Sequence, residues 1–130
     1  MSLIIASLNH QIADGDSHRK ILADINLSVS PGDCIALMGD SGSGKTTLLN
    51  LIAGLEPIQR GSISIAGAQL AQATEKKLSE LRKKYLSIIF QQYNLLSNLS
   101  VQDNIEFSAR LAGRYDALFC STLTKQLDIH

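Results

Sequence analysis

Gly39-Asp40-Ser41-Gly42-Ser43-Gly44-Lys45-Thr46 is the stretch from which the fold can be read outward. Its glycines allow the backbone to curl with its N–H groups pointing inward, which makes an anion nest. The spacing Gly39-x-x-x-x-Gly44-Lys45-Thr46 is that of a phosphate-binding loop. The flanks agree with it. Cys34-Ile35-Ala36-Leu37-Met38 is a continuous apolar run of strand length and predicts a strand buried on both faces, as in a parallel sheet. Thr46 to Ala53 has helical periodicity, with Leu48, Leu49, Ile52 and Ala53 on one face and Gly54 where a C-cap belongs. The helix start adds its positive dipole end, worth about 0.3–2 kcal/mol to an anion. The Lys45 ammonium can reach the β- and γ-phosphates. The Thr46 hydroxyl suits Mg²⁺, a hard cation that takes oxygen. The loop therefore predicts a site for the phosphates of a nucleoside triphosphate, MgATP.

Further elements follow on either side. Residues 3–8 are apolar-rich and predict a short strand. Asn9 to Lys20 is polar, with a turn signal at Asp14-Gly15-Asp16. Leu22, Ile25, Leu27 and Val29 predict a half-buried strand, closed by Pro31-Gly32-Asp33. Gly61 to Gly67 alternates and predicts a strand and turn. Thr74 to Lys84 predicts a surface helix with Leu78 and Leu81 as its apolar edge. Leu86 to Phe90 predicts another buried strand. Ser100, with Asp103 three residues on, marks a helix start. That helix carries Ile105, Phe107 and Leu111 and stops near Gly113. A last helix spans Asp116 to Leu127, with Leu118, Phe119, Leu123 and Leu127 on one side.

The 130 residues include 45% apolar and 18% charged ones, which is ordinary globular composition for one domain. Twelve basic residues balance twelve acidic ones, so no basic field argues for nucleic acid or anionic lipid. Cys34 and Cys120 follow no metal-ligand spacing and are expected to be buried reduced thiols, which suits a reducing compartment. The N-terminus lacks the basic and apolar regions of a signal peptide. Nowhere do roughly 18 apolar residues run together, so any membrane contact is expected to come through another chain.

Residues 39–55 resemble the Walker A segment of ABC-type ATPases, in a match that includes Ser41-Gly42, Thr47, the paired leucines and Ala53-Gly54-Leu55. Gly61 to Gly67 resembles the family's next strand and turn. Leu81-Arg82 and Ile88-Ile89-Phe90-Gln91 resemble the approach to its Q-loop. Asn94 to Val101, with Asn104, resembles the opening of its helical subdomain. The pattern is most similar to the subgroup serving lipoprotein release, macrolide export and cell-division transporters.

The resemblance implies an α/β P-loop NTPase fold: the N-terminal half of an ABC-type nucleotide-binding domain, with its antiparallel β subdomain and the start of the parallel core. Residues 1–91 would form the nucleotide-binding core and 92–130 the beginning of the helical subdomain. It implies ATP and Mg²⁺ as ligands. Gly39, Ser41, Gly42, Ser43, Gly44, Lys45, Thr46 and Thr47 would surround the nucleotide. Thr46 and Gln91 would serve the metal, and Lys45 and Gln91 the chemistry. A neutral carboxamide such as Gln91 can ligate Mg²⁺ and orient water without taking a proton.

Implied partners are a transmembrane permease subunit, met within residues 92–104, and a second ATP-binding subunit. The implied location is the cytoplasmic face of the inner membrane, held there by the permease. Tyr93, Leu95 and Leu96 are candidates for partner contact or for packing under the helical subdomain.

Two departures qualify the resemblance. Ile12 stands where many members stack an aromatic residue on adenine, and an aliphatic side chain offers no π-face. The chain also lacks the signature Leu-Ser-Gly-Gly motif and any apolar strand ending in paired acids, so it looks like part of a domain nearly twice as long. The catalytic carboxylate is among the missing groups, and His10, His18 and His130 read as surface histidines. The chain alone is therefore expected not to hydrolyse ATP. Its buried-type strands at 35–38 and 88–90 would lack lateral partners, so self-association, swapping or a distorted phosphate loop is expected. A soluble, non-transport ABC-type ATPase is the main alternative. The short connection from Lys45 to Gln91 and the neutral charge favour a transporter subunit.

Overall fold

A computed structural model describes residues 2–15, 17–92 and 94–129. The chain forms two compact units, one running to Ser87 and the other from Ile88 onward.

The first unit is built on a four-stranded antiparallel sheet of order β2-β1-β3-β4. The strands are β1 (Leu3–Asp14), β2 (Ser17–Val29), β3 (Arg60–Ile65) and β4 (Ala68–Gln69). β1 is longer than the expected 3–8, because the polar stretch after it continues the ladder with β2 as far as Asp14↔Ser17. The turn signal lies at that tip, although Asp16 falls outside the described residues. Irregularities interrupt both strands near Ser7 and Asp24, each with positive φ. Asparagines satisfy the backbone there: Asn26 Oδ1 accepts from Ser7 N at 2.8 Å, and Asn9 Oδ1 accepts from Asp24 N at 3.1 Å. Polar residues inside this hairpin thus replace missing ladder bonds.

Helix α1 (Lys45–Ile52) and helix α2 (Glu75–Tyr85) belong to the same unit. The core joins Ile5, Leu8 and Leu22 of the hairpin with Ile63 and Ile65 of β3, Leu48 and Leu51 of α1, Leu81 of α2, and Leu70. Ile5, Leu8, Leu51, Ile63 and Ile65 are the largest fully buried side chains, each worth about 1.5–3 kcal/mol of apolar burial. Arg82 ties α2 to the end of α1 by donating to Gly54 O at 3.0 Å and pairing with Glu75.

The two strands expected to start a parallel core are not formed. Residues 34–38 and 88–90 have no regular structure. Their side chains are exposed, up to 89% for Met38 and 98% for Ile89. A strand needs a neighbour to take its backbone hydrogen bonds, and among the described residues only β1 to β4 pair. Cys34 shares this exposure, which corrects the expectation of a buried thiol, whereas Cys120 is buried.

The second unit contains α3 (Val101–Leu111) and α4 (Ala117–Gln126). Ser100 caps α3, its Oγ accepting from Asp103 N at 3.1 Å and donating to Asp103 Oδ2 at 2.6 Å. Asp116 caps α4, accepting from Phe119 N at 2.9 Å. The expected apolar side of α4 is largely exposed at Leu118, Phe119 and Leu127; its buried residue is Cys120.

Candidate nucleotide site

The phosphate loop lies in the first unit between an extended approach and α1. Gly39, Gly42 and Gly44 have φ of 147°, 80° and 93°, a region other residues enter at a cost. Gly44 has a second reason to be glycine. A Cβ there would lie 2.8 Å from Ile21 Cγ2 and 3.2 Å from Ile21 O. Ile21 is the residue skipped in the β2 register between Leu22 and Lys20. The loop therefore seats its last glycine directly on the irregular part of β2.

Gly44 is also the N-cap of α1 and provides no side-chain cap. The first intrahelical bond of this end runs from Leu48 N to Gly44 O at 2.9 Å. The amides of Lys45, Thr46 and Thr47 are left as outward-facing donors at the positive end of the helix. Lys45 bends back over the loop, donating from Nζ to Gly39 O and Asp40 O at 2.7 Å each and to Ser43 Oγ at 3.3 Å. Ser43 N donates to Asp40 O at 3.2 Å. These bonds place the ammonium across the mouth of the Gly39–Ser43 turn. The Thr46 hydroxyl has no hydrogen-bond partner among the described residues and is free to meet a cation. This donor set fits a polyphosphate, and an oxygen-seeking metal beside it.

Ile12 lies on β1 opposite Arg19 and is 38% exposed. Gln91 belongs to the second unit and is exposed. The expectations for Tyr93 and His130 fall outside the described residues. Leu95 and Leu96 are exposed. They border a cleft of about 440 Å³ within the second unit, also lined by Phe90, Asn94, Asn104 and Phe107.

Three groups have roles that the sequence did not reveal, and for the first of them the surface expectation is corrected. His10 is buried at 5% exposure rather than on the surface. Its Nε2 lies 3.5 Å from Glu56 Oε2, and its Nδ1 has no partner among the described residues. Glu56 Oε1 accepts from Asn50 Nδ2 of α1 at 2.8 Å, so β1 and the phosphate-loop helix share a polar contact. The clue was its place two residues after Leu8 on an alternating strand.

Asn104 of α3 folds the preceding loop. Its Oδ1 accepts from Leu96 N at 2.8 Å, and its Nδ2 donates to the carbonyls of Leu96, Leu99 and Ser100 at 3.1, 3.2 and 2.9 Å.

Glu106 is buried on α3 between Gln102, Arg110 and Tyr115. The hydrogen bond from Gln102, then that from Arg110, holds its carboxyl below the usual carboxylate range. Burial, then donation to Glu106, pushes the Tyr115 phenol up. Its i−4 and i+4 partners were the signal for such a buried charge.

Comparison with known proteins agrees with this geometry. The sequence profile of the family described as "ABC transporter" matches residues 22–129. Macrolide export ATP-binding/permease protein MacB of Aggregatibacter actinomycetemcomitans is 42% identical over 109 residues, covering 84% of this chain and 17% of that protein. Bacitracin export ATP-binding protein BceA of Halalkalibacterium halodurans is 45% identical over 87 residues, covering 67% of this chain and 34% of that protein. The resemblance to the macrolide-export subgroup is thereby borne out. A dimeric, post-hydrolysis structure of the ATP-binding cassette MJ0796 bound to ADP and Pi superposes with a TM-score of 0.80. It is 26% identical and covers 88% of this chain and 49% of that one. The antiparallel subdomain and phosphate loop thus fall within the expected ABC-type fold. The chain spans less than half the length of each of these relatives. No helix of the described residues is long and apolar enough to cross a membrane. On a profile match that runs through most of its residues, the chain belongs to the ABC transporter family.

Proposed function

We propose that this chain is the phosphate-binding part of an ABC transporter ATP-binding subunit. It would couple MgATP binding and hydrolysis to the movement of a substrate through a separate membrane subunit. The observation that carries this reading is the uncapped start of α1 beneath three positive-φ glycines, with Lys45 laid across the loop.

The residues divide the work. The loop amides from Ser41 to Thr47 hold phosphate oxygens, and Lys45 exchanges its carbonyl partners for the β- and γ-phosphates. Mg²⁺ fits the free Thr46 hydroxyl, where it would neutralise phosphate charge; Gln91 is its second candidate ligand and the one suited to orient water. Ile12 packs on the base without stacking, so base selectivity is weak. No carboxylate of the chain is placed by a motif to activate water. The chain alone binds without turnover.

By name, MacB is an export ATP-binding/permease protein and BceA an export ATP-binding protein, and the MJ0796 cassette is dimeric, which points to a membrane component and a second copy. A permease subunit contacting residues 92–104, a second ATP-binding subunit, and a place on the cytoplasmic face of the membrane complete the reading.

Titration calorimetry of the chain with MgATP tests the proposal, with a turnover assay on the same sample. Saturable binding that Lys45→Ala weakens at least about tenfold, close to 1.4 kcal/mol, is the expected result. No binding by either protein, or steady ATP turnover by the chain alone, would contradict it.

A further inference from the structure

A second polar pocket lies in the sheet of the first unit, formed by residues outside the phosphate loop. It encloses about 160 Å³ and is lined by Asn9, Gln11, Lys20, Gln59 and Arg60. The strand register brings these residues together. Gln11 stands opposite Lys20 across the β1–β2 ladder, and Asn9 stands opposite Arg60 across the β1–β3 ladder. Residues directly opposite in antiparallel strands share a face, and Asn9 and Gln11, two apart on β1, share one as well. The residue between them, His10, is buried.

The chemistry of the lining is one-sided. It holds two cations and no acid, in a chain whose charges balance. Neither Lys20 nor Arg60 is in an ion pair among the described residues. Neither cation has a hydrogen-bond partner among the described residues. The neutral walls, by contrast, are fixed. Gln59 Oε1 accepts from Gln11 N at 2.8 Å, and Gln59 Nε2 donates to Gln11 O at 2.9 Å. Asn9 is held through both ends of its carboxamide, to Asp24 N and Ser7 O. Lys20, Arg60 and the Gln11 carboxamide make no side-chain hydrogen bond among the described residues, and Asn9 Nδ2 and Gln59 Nε2 each keep a second N–H. Two like charges beside one small cavity repel each other, and an oxyanion between them would convert that repulsion into charge-assisted hydrogen bonds.

We propose that this pocket binds a small oxyanion, a phosphate or a carboxylate, between Lys20 and Arg60. Its volume suits such a group and is too small for a nucleotide. The site is independent of the phosphate loop, because none of its lining residues belongs to residues 39–47.

The test is an NMR titration of the whole chain with inorganic phosphate and, separately, with succinate. The amides of Gln11 and Lys20 and the side-chain Nε–H of Arg60 are followed. These signals are expected to shift and saturate with at least one anion, and the comparison between the two arms identifies the preferred class. Lys20→Gln with Arg60→Gln should weaken that response at least about tenfold, while Lys45→Ala leaves it unchanged. Weakening of the phosphate-loop response in Lys45→Ala keeps the two sites distinguishable. Signals that do not move, that drift without saturating, or that respond equally in the Lys20/Arg60 double variant would overturn the proposal.

Discussion

Gly44 carries two constraints at one residue: a φ of 93° and an approach to Ile21 that leaves no room for a Cβ. Gly44→Ala should therefore destabilise the first unit by about 1–3 kcal/mol, read by urea unfolding of the chain. An unchanged midpoint would mean that loop and strand are not in contact. Asn104 is the comparable residue of the second unit, since one carboxamide meets four backbone groups. Asn104→Ala should cost about 1–3 kcal/mol through the donors and acceptors it strands. Protection of the Leu96 amide from hydrogen exchange should fall with it. Sequence spacing was enough to find Gly44, because glycine has few other reasons to precede Lys-Thr at a helix start. It was not enough for Asn104 or His10, whose roles depend on how the chain folds back on itself.

Helix α3 shows what local pattern can and cannot convey. Its start was legible because Ser100 and Asp103 satisfy each other within one turn. Its buried face was not, because the apolar residues Val101, Phe107 and Leu111 are exposed while Glu106 is inside. A charged residue is placed there by Gln102, Arg110 and Tyr115, and Tyr115 comes from beyond the helix.

The pH dependence follows from the direction of the Glu106 shift. Its native pKa lies below the ordinary value of 4.5. The folded state thus favours the carboxylate, and the resulting stabilisation is complete above that ordinary value. It is lost as the pH falls through the lowered native pKa. The protection of the α3 amides, measured against the intrinsic exchange rate at each pH, should therefore fall in acid. The deficit of Glu106→Gln relative to the parent should be largest near neutrality and shrink as the pH falls. A deficit that does not change with pH would remove the carboxylate from the account.

Across the whole chain, the parts that matched expectation close their hydrogen bonds within the chain. The β1–β2 hairpin, β3 with its turn, and α1 each find their partners among the described residues. The runs at 34–38 and 88–90 have strand composition, but strand composition alone does not supply a neighbour. Their exposed Ile35, Met38, Ile88, Ile89 and Phe90 form apolar surface of the kind that drives association. Sedimentation should show this chain associating as its concentration rises, with Met38→Lys and Ile89→Lys together reducing it. A concentration-independent monomer would contradict that expectation.

In the proposed function, the amides at the start of α1 receive the phosphates of MgATP. The most direct measurement is the backbone N–H shift of Gly42, Gly44, Lys45, Thr46 and Thr47 on adding MgATP. Large, saturable changes concentrated in these residues are expected, with Lys45→Ala moving their midpoint at least about tenfold to higher MgATP. Changes confined to other regions, or the same response in the variant, would contradict that function.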